Sequence, residues 1–245
     1  MSAQPWSLGA PLAEEHRVRL RSLGVPAEIL DRHDLRLVGG GPLPAWWDLN
    51  GNALYARPGF PIPEKLFETM VFYPFSGALI VLGTDITSAA SLLVGGDDAT
   101  VFIGPDTFMS CAELYCGGGS SIVLVGKVVA TSRAVVDARN GGSVFAEWDQ
   151  LWAAGVYIAT DDMHRLEDRE TGERLNPFGA HIRLGEHVWL CREAVVSGHA
   201  EIGDGCVVGL RSVVRGQKVP AHTAVAGTPA RVIREGVTWR GEDTP

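Results

Sequence analysis

Residues 184–219 read LGEHVW LCREAV VSGHAE IGDGCV VGLRSV VRGQKV when the chain is written in groups of six. The first position of every group is aliphatic: Leu184, Leu190, Val196, Ile202, Val208 and Val214. The second and fifth positions hold mostly small residues. A period of six does not match the 3.6 residues per turn of an α-helix, but it suits a short strand followed by a turn. This stretch therefore predicts a solenoid of short strands.

The same hexads predict which residues stack in the solenoid. If three strands close one coil of 18 residues, residues 18 apart lie on neighbouring coils at the ~4.8 Å spacing of paired strands. The expected pairs are Leu184 with Ile202, Leu190 with Val208, and Val196 with Val214. Glycine or another small residue at the second position is expected to let the backbone turn sharply at each corner. We therefore predict an all-β fold built on a parallel β-helix.

The pattern continues less regularly toward the amino terminus. Ile103-Gly104, Met109-Ser110 and Tyr115-Cys116 are spaced by six, and Leu82-Gly83 and Val125-Gly126 resemble further coil corners. The β-helix is therefore expected to begin near residue 80. Two stretches are predicted to interrupt it, NGGSVFAEWDQLW at residues 140–152 and the charged IATDDMHRLEDRETGERLNP at residues 158–177.

Residues 1–75 differ in kind from the hexads. LAEEHRVRLRSLG and PAEILDRHDL read as short helices, and the segment that follows is rich in proline and tryptophan. Trp46, Trp47 and Tyr55 could form a binding platform, but packing of an appended arm against the β-helix explains them better. We thus predict an appended, partly helical segment at 1–75, a β-helix domain at 76–235 with a loop at 160–177, and a tail at 236–245.

Composition limits the possible partners. The chain has 245 residues, 46% of them hydrophobic, and a net charge of −8, so it can bury a core but has no broad basic face for a nucleic acid. The amino terminus lacks the features of a signal peptide, and no apolar run approaches the ~20 residues that span a bilayer. A cytoplasmic location without a membrane span is therefore expected. In a chain of this length and compartment the four cysteines are predicted to be reduced and buried. A zinc ribbon would need two close pairs of cysteines, and the sequence has none.

Four motifs together resemble a known enzyme family. These are the hexads, DDMH at 161–164 followed by TGERLNP at 171–177, LGEHVWLC at 184–191, and VAGTPARVIRE at 225–235. They resemble the bacterial hexapeptide-repeat acetyltransferases, especially the branch that O-acetylates sugars in surface polysaccharides. The resemblance implies a left-handed β-helix, a homotrimer with active sites in clefts between neighbouring β-helices, acetyl-CoA as co-substrate lying along the coils, and a carbohydrate acceptor. It covers residues ~80–235 and not 1–75.

The resemblance also assigns catalytic residues. Acetyl transfer to a hydroxyl needs a base, and histidine is the side chain suited to that role near neutral pH. His164 matches the family's catalytic histidine, which implies a general base for the hydroxyl and a general acid toward the departing thiolate. Asp162, or its neighbour Asp161, is close enough in sequence to hold the other ring nitrogen. Trp189 matches a tryptophan that shapes the acetyl pocket, where an oxyanion must be stabilised, although trimer packing would also explain it.

The coenzyme is expected to contact a set of small and basic residues that match family positions. Glycines next to the coil would let the pantetheine arm reach the backbone, and arginines would bind the phosphates. The predicted set is Arg192, Gly209, Leu210, Arg215, Gly216, Lys218, Arg231 and Arg234. Arg192 and Leu210 replace small residues of relatives, and Arg215-Gly216 replaces a common Thr-Lys pair, for which Lys218 is a substitute.

Several alternatives remain open on the sequence. The acceptor could be an amino sugar or an antibiotic, the donor could carry another acyl group, and the β-helix could be a non-catalytic assembly module. His181 and His199 are 18 residues apart and should stack on adjacent coils, with His187 and His222 nearby. A related family, the γ-class carbonic anhydrases, binds zinc through three histidines at a subunit interface. No credible third ligand completes a triad here, so no metal is expected and surface stacking of the two histidines is preferred.

Overall fold

The computed structural model describes residues 6–41, 43–62, 74–162, 164–176 and 178–242. Three sheets, here named A, B and C, contain the strands of this part of the chain. Sheet A is formed by β1 (Trp6–Pro11), β2 (Arg36–Gly40), β3 (Ala53–Ala56), β4 (Leu79–Leu82), β6 (Thr100–Ile103), β9 (Ser121–Leu124), β12 (Ser143–Ala146), β15 (His181–Leu184), β18 (Ala200–Ile202) and β21 (Lys218–Val219). Sheet B is formed by β5 (Ser91–Gly95), β8 (Glu113–Gly117), β11 (Val135–Ala138), β14 (Tyr157–Ala159), β17 (Val195–Ser197) and β20 (Val213–Arg215). Sheet C is formed by β7 (Phe108–Met109), β10 (Val128–Ala130), β13 (Gln150–Trp152), β16 (Val188–Leu190), β19 (Val207–Val208), β22 (Thr223–Ala226) and β23 (Arg231–Glu235).

From Leu79 to Val225 the chain winds through the three sheets in turn, with parallel pairing between successive coils. The predicted stacks are confirmed: Leu184 pairs with Ile202, Leu190 with Val208, and Val196 with Val214. All six of these side chains are buried in the interior of the solenoid. The predicted parallel β-helix and its 18-residue coil are therefore correct for the carboxy-terminal hexads.

Small residues at the second position serve a different purpose from the one predicted. Gly185 and Gly203 do not adopt positive φ. A Cβ on Gly185 would instead lie 2.8 Å from the backbone nitrogen of Asp204, which is on the next coil. The left-handed conformation falls two residues later, at His187 (φ 58°) and Gly205 (φ 66°). The second position is small because neighbouring coils approach closely there.

Two sequence predictions about the earlier coils were wrong. Residues 140–152 do not interrupt the solenoid, because they contain β12 and β13, which pair in register on both sides. Tyr115 also points outward, while its neighbours Leu114 and Cys116 are buried. These coils are longer than 18 residues, since Leu82 pairs with Ile103 and Ile103 with Leu124. Longer coils shift the hexad frame, so Leu124 rather than Val125 stands at the inward position.

Residues 160–177 are the true interruption. The chain leaves sheet B after β14 and returns to sheet A at β15. Ala146 of β12 nevertheless pairs with Leu184 of β15 in the same register that Leu184 keeps with Ile202 one coil later. The insertion therefore extends one corner without disturbing the coils on either side.

The amino-terminal segment covers one face of the solenoid. The two predicted helices are present as α1 (Glu14–Ser22) and α2 (Ala27–Arg32), with acidic residues in their first turns and basic residues in their last, as the helix dipole favours. Their buried residues Leu20 and Leu30 pack with the outward side chains of sheet A, among them Phe102 and Phe145. At ~25 cal/mol per Å² of apolar area, such burial stabilises the arm and explains why an outer sheet face carries large apolar residues.

The aromatic residues of this segment also serve packing. Trp47 is 1% exposed and Tyr55 is 3% exposed, and Trp46 contacts Phe75 edge-on at 4.9 Å between ring centroids. The Tyr55 hydroxyl lies 2.9 Å from His16 Nδ1 of α1. Packing rather than a binding platform therefore accounts for these three residues. Within the described ranges, neither helix is long and apolar enough to cross a bilayer.

Candidate active site

The charged loop forms a small hairpin at the corner between sheets B and A. Leu175 donates a backbone hydrogen bond of 2.8 Å to Leu166, and Glu167 bridges Arg174 in antiparallel fashion. The Asp168 carboxylate accepts hydrogen bonds from the backbone N–H groups of Glu170 and Thr171, which lower its pKa below the ordinary value. Local polar contacts thus give a definite shape to a stretch that has almost no apolar core of its own.

His164 stands at the base of this hairpin and is exposed. Asn176, which is 9% exposed, connects the two strands of the hairpin where they leave the solenoid. Its side-chain amide donates to the His164 carbonyl at 2.7 Å and accepts from the Leu166 N–H at 2.9 Å. The His164 N–H donates to the Asp162 carbonyl at 2.7 Å. Among the described residues, no side chain hydrogen-bonds the His164 imidazole. The backbone is fixed while the ring is left accessible, as a base for an external substrate requires.

The two aspartates before His164 contact other partners in the single chain. Asp161 is 8% exposed, and its carboxylate accepts a hydrogen bond of 2.6 Å from the Asn140 amide one coil earlier. The exposed Asp162 carboxylate lies 3.4 Å from the Arg215 guanidinium at the end of β20. Asp161 therefore anchors the loop to the coil beneath it. The pairing of Asp162 with the His164 ring stays a prediction.

Trp189 lies on the outer face of sheet C, whereas the loop that carries His164 leaves the solenoid between sheets B and A. It belongs to a column of outward apolar side chains that runs the height of the sheet in strict register. This column consists of Phe108, Val129, Leu151, Trp189, Val207 and Ala224. Half-buried tryptophan in such a column suits contact with a further surface rather than with solvent. The structure does not bring Trp189 and His164 into contact within one chain.

The predicted coenzyme residues fall in three places. Arg192, Gly209 and Leu210 lie on adjacent coils at the corner between sheets C and B, where the Arg211 N–H donates to the Arg192 carbonyl at 3.0 Å. Arg215, Gly216 and Lys218 lie at the next corner, and Lys218 pairs with Glu201 at 2.9 Å. Arg231 and Arg234 are exposed on β23, the edge strand of sheet C. Leu210 is 62% exposed.

A group at the corner between sheets A and C was not predicted from the sequence. The His187 ring stacks on Trp239 of the tail with 4.1 Å between centroids and an interplanar angle of 5°. His187 Nδ1 lies 2.7 Å from the Asp149 carboxylate, which also pairs with Lys127 at 2.9 Å. Trp239 lies 6.3 Å from Trp189, ring to ring. The signal in the sequence was a lone tryptophan in a polar tail, with no period to connect it to residue 187.

His181 and His199 behave as surface residues. His181 and His199 stack as predicted, with 5.7 Å between ring centroids, and both are exposed. His187 faces Asp149 and Trp239 instead of this pair. Within the part of the chain that the structure describes, no three histidine, cysteine, aspartate or glutamate side chains gather as metal ligands would.

The cysteines are all free thiols, but the prediction that they are buried holds only for some of them. Cys116 and Cys206 are buried, Cys191 is half-buried and Cys111 is exposed. Burial raises the pKa of the Cys116 thiol to about 12. Cys111 adopts a left-handed conformation (φ 50°) at a corner between sheets C and B, which turns its side chain toward solvent.

Comparison with known proteins places the chain among acetyltransferases, although no family model matches it. It is 27% identical to the polysialic acid O-acetyltransferase of Neisseria meningitidis over 64% of this chain and 82% of that protein. It is 26% identical to WbbJ of Escherichia coli K12, provisionally named a lipopolysaccharide biosynthesis O-acetyl transferase, over 64% of this chain and 71% of that protein. Among solved structures, the polySia specific acetyltransferase NeuO superposes with a TM-score of 0.58 at 21% identity, covering 71% of this chain and 79% of the other.

The sequence relatives and the shared fold agree with the resemblance drawn from the hexads and the loop. The predicted all-β, left-handed β-helix is confirmed, and so is the predicted relationship to acyltransferases. This chain is a hexapeptide-repeat β-helix related to the bacterial O-acetyltransferases.

Proposed function

We propose that this protein transfers an acetyl group from acetyl-CoA to a hydroxyl group of a sugar, in a surface polysaccharide, another glycan or a nucleotide-linked sugar. The observation that carries the proposal is the exposed His164 imidazole on an ordered hairpin, in a chain whose sequence relatives are named O-acetyltransferases. A rigid scaffold with a base on a projecting loop supplies the proton acceptor that direct acyl transfer requires.

In the proposed step, the acceptor oxygen attacks the thioester carbonyl. The new C–O bond forms while the carbonyl oxygen becomes an oxyanion and the hydroxyl proton passes to His164. The oxyanion then collapses as the C–S bond breaks and His164 gives the proton to the departing thiolate, so that no covalent acyl-enzyme is needed. Asp162 would orient the imidazole once its ion pair with Arg215 rearranges. The Trp189 indole would shape the pocket around the acetyl group and its oxyanion.

For the donor, the exposed arginines supply the positive charge that a nucleotide phosphate requires. Arg192, Arg231 and Arg234 are exposed at one end of the solenoid. Gly209 has no side chain, so an extended pantetheine arm could lie against the coil there, although the Gly209 N–H and carbonyl already bond Val225 and Ser212. Arg215, Gly216 and Lys218 sit at the next corner and would contribute from there. A cytoplasmic location would give the enzyme access to acetyl-CoA.

We further propose that the working unit is a homotrimer. On sheet A the chain's own amino-terminal segment covers the outward apolar side chains, among them Phe102 and Phe145, whereas sheets B and C each present an outward apolar column. The column on sheet B contains Val135, Tyr157, Val195 and Val213. Two different faces that both need cover suit a closed ring in which each copy meets two neighbours through different surfaces.

A ring of this kind would also complete the active site. His164 and Trp189 lie at different faces of one chain, and the hairpin of His164 carries the exposed apolar residues Leu166, Leu175 and Phe178. Docking of this hairpin on sheet C of a neighbour would bury these side chains and bring His164 of one copy toward Trp189 of the next. The acceptor would then bind in the cleft between the two copies.

The function is tested by thiol release from acetyl-CoA in the presence of sugars, nucleotide sugars and polysaccharides, with wild-type protein and His164→Ala side by side. We expect acceptor-dependent release that falls by ~10²–10⁴-fold in His164→Ala, as for loss of a general base. His222→Ala is the matched control, since it removes another exposed histidine, at the corner between sheets A and C and away from the loop, and it should keep full activity.

Three results would contradict the proposal or redirect it. Equal release by wild type and His164→Ala would remove His164 from the mechanism. Release that depends on amino sugars or antibiotics alone, with an amide product, would favour an N-acetyltransferase. Failure to bind acetyl-CoA, measured by calorimetry, would favour a non-catalytic assembly module.

A further inference from the structure

The last described residues of the chain do not trail into solvent. Residues 236–242, here named the strap, follow the edge strand β23 and return along the corner between sheets A and C. The Val237 N–H donates to the His222 carbonyl at 2.9 Å, and Trp239 Nε1 donates to the His187 carbonyl at 2.8 Å. The strap is therefore tied to two different coils, although it follows the last strand of the solenoid.

The contact between the strap and His187 specifies a protonation state. His187 Nδ1 lies 2.7 Å from the Asp149 carboxylate, and Nε2 lies 3.0 Å from the Trp239 carbonyl oxygen. A backbone carbonyl can only accept a hydrogen bond, and an ionised carboxylate can only accept as well. Both bonds form together only when both ring nitrogens carry a proton, which makes His187 an imidazolium.

The surroundings of His187 favour this charged form. Burial acts to raise the pKa of the Asp149 carboxyl, but hydrogen bonds from Lys127 and His187 outweigh it, so this pKa lies below its ordinary value and the group is ionised. The Trp239 ring lies face to face with the imidazole at 4.1 Å, where an aromatic face stabilises a cation. The other charged groups near the ring are Lys127, Arg240 and Glu242, which line the same groove, and His222, which stands at the same corner against Gly205.

The docked strap shapes a groove on the outer face of sheet C. The groove has a volume of about 520 Å³ and is bounded by Trp239 and Arg240 on the strap side and by Val129 and Leu151 of the outward column on the other. Trp189, the next residue of that column, lies 6.3 Å from Trp239. Trp239 therefore forms the wall of the groove at its end nearest to Trp189.

We propose that the strap is latched through doubly protonated His187, and that Trp239 is a positioning residue that shapes a substrate groove on the outer face of sheet C. The second half of this statement rests on the proposed acetyl transfer, while the latch does not. With a single ring proton, His187 would keep it on Nδ1, against the ionised Asp149. The bare Nε2 then faces the Trp239 carbonyl, so the bond to the strap is the one that is lost.

The latch is tested without substrate, on the full-length protein, from the indole N–H resonance of Trp239 in a ¹⁵N-labelled sample. The resonance is assigned by its disappearance in Trp239→Phe. We expect docking to weaken by ~10-fold or more as the pH is raised from mildly acidic to alkaline, as for loss of a charge-assisted hydrogen bond. In His187→Gln the strap should be undocked at every pH, because one amide cannot donate on both sides. His199→Gln should leave the pH dependence unchanged.

Kinetics test the positioning role separately. Trp239→Ala should raise the KM of donor or acceptor by ~10-fold with a smaller effect on kcat, while Thr238→Ala, an exposed neighbour in the strap, should change neither. A Trp239 resonance that ignores both pH and His187→Gln would overturn the latch. Unchanged kinetics in Trp239→Ala would overturn the positioning role. A pH-dependent resonance in a protein that acetylates no acceptor would support the latch and count against the proposed function.

Discussion

Trp152 is the residue whose replacement tests the packing of the solenoid most sharply. It is fully buried inside the slim interior, between Ala130 on one coil and Leu190 on the next. Its indole Nε1 is buried with no hydrogen-bond partner among the described residues. A large apolar group and an unsatisfied donor therefore make opposite contributions to stability at one position.

The two contributions can be separated by two substitutions. Trp152→Ala leaves a cavity and should lower the free energy of unfolding by ~3–5 kcal/mol. Trp152→Phe gives up part of the apolar area, a loss of ~1–2 kcal/mol at ~25 cal/mol per Å². It also removes the unpaired N–H, whose burial costs ~1–3 kcal/mol. We therefore expect the free energy of unfolding of Trp152→Phe to lie between ~1 kcal/mol below and ~2 kcal/mol above that of the wild type.

Urea unfolding, followed by far-ultraviolet circular dichroism at one fixed protein concentration, measures both variants against wild type. Fixed concentration matters because subunit association adds to apparent stability. Trp148→Phe is the control, since Trp148 is partly buried outside the solenoid interior. If Trp152→Phe proves as unstable as Trp152→Ala, the indole N–H must have a partner and the reasoning is refuted.

Two further predictions concern thiols and assembly. With Ellman's reagent, Cys111 should react fast, Cys191 slowly, and Cys116 and Cys206 only after unfolding. Burial raises the pKa of the Cys116 and Cys206 thiols, and the thiolate is the reactive form. Fast modification that persists in Cys111→Ser would contradict this prediction. Val195→Lys places a charge in the sheet B column and should weaken assembly by ~100-fold or more. Sedimentation should then report the 26.2 kDa chain instead of three copies. Glu113→Lys is the control, because that position of the column is already charged, and it should sediment as the wild type does.

The sequence was most informative where coils keep a constant length. With 18 residues between equivalent positions, Leu184 and Ile202 could be paired by counting alone. In the earlier coils the spacing grows to 21 or more, so the frame at Tyr115 and Val125 was displaced by one residue. The strand that contains Trp152 was not recognised from the sequence, because tryptophan is larger than the usual inward residue and fits only beside the small Ala130.

The site was predictable only where the chain is locally connected. His164 could be located from its own loop, but the partners that fix that loop come from Asn140, 21 residues before Asp161, and from Arg215, 53 residues after Asp162. The contact between His187 and Trp239 spans 52 residues and follows no period. Such pairs depend on how the tail folds back over a finished solenoid, which a pattern of hexads does not encode.

The strands on either side of the hairpin keep their register despite the insertion, which bears on how such proteins evolve. Lengthening one closed segment from 18 to 38 residues, the spacing from Ala146 to Leu184, costs only about 0.6 kcal/mol of chain entropy, because closure cost grows with the logarithm of length. Strands on both sides still pair as though nothing had been inserted. A lineage can therefore exchange this hairpin for another of different length and chemistry, and acquire a new acceptor, while the framework that folds the protein stays the same.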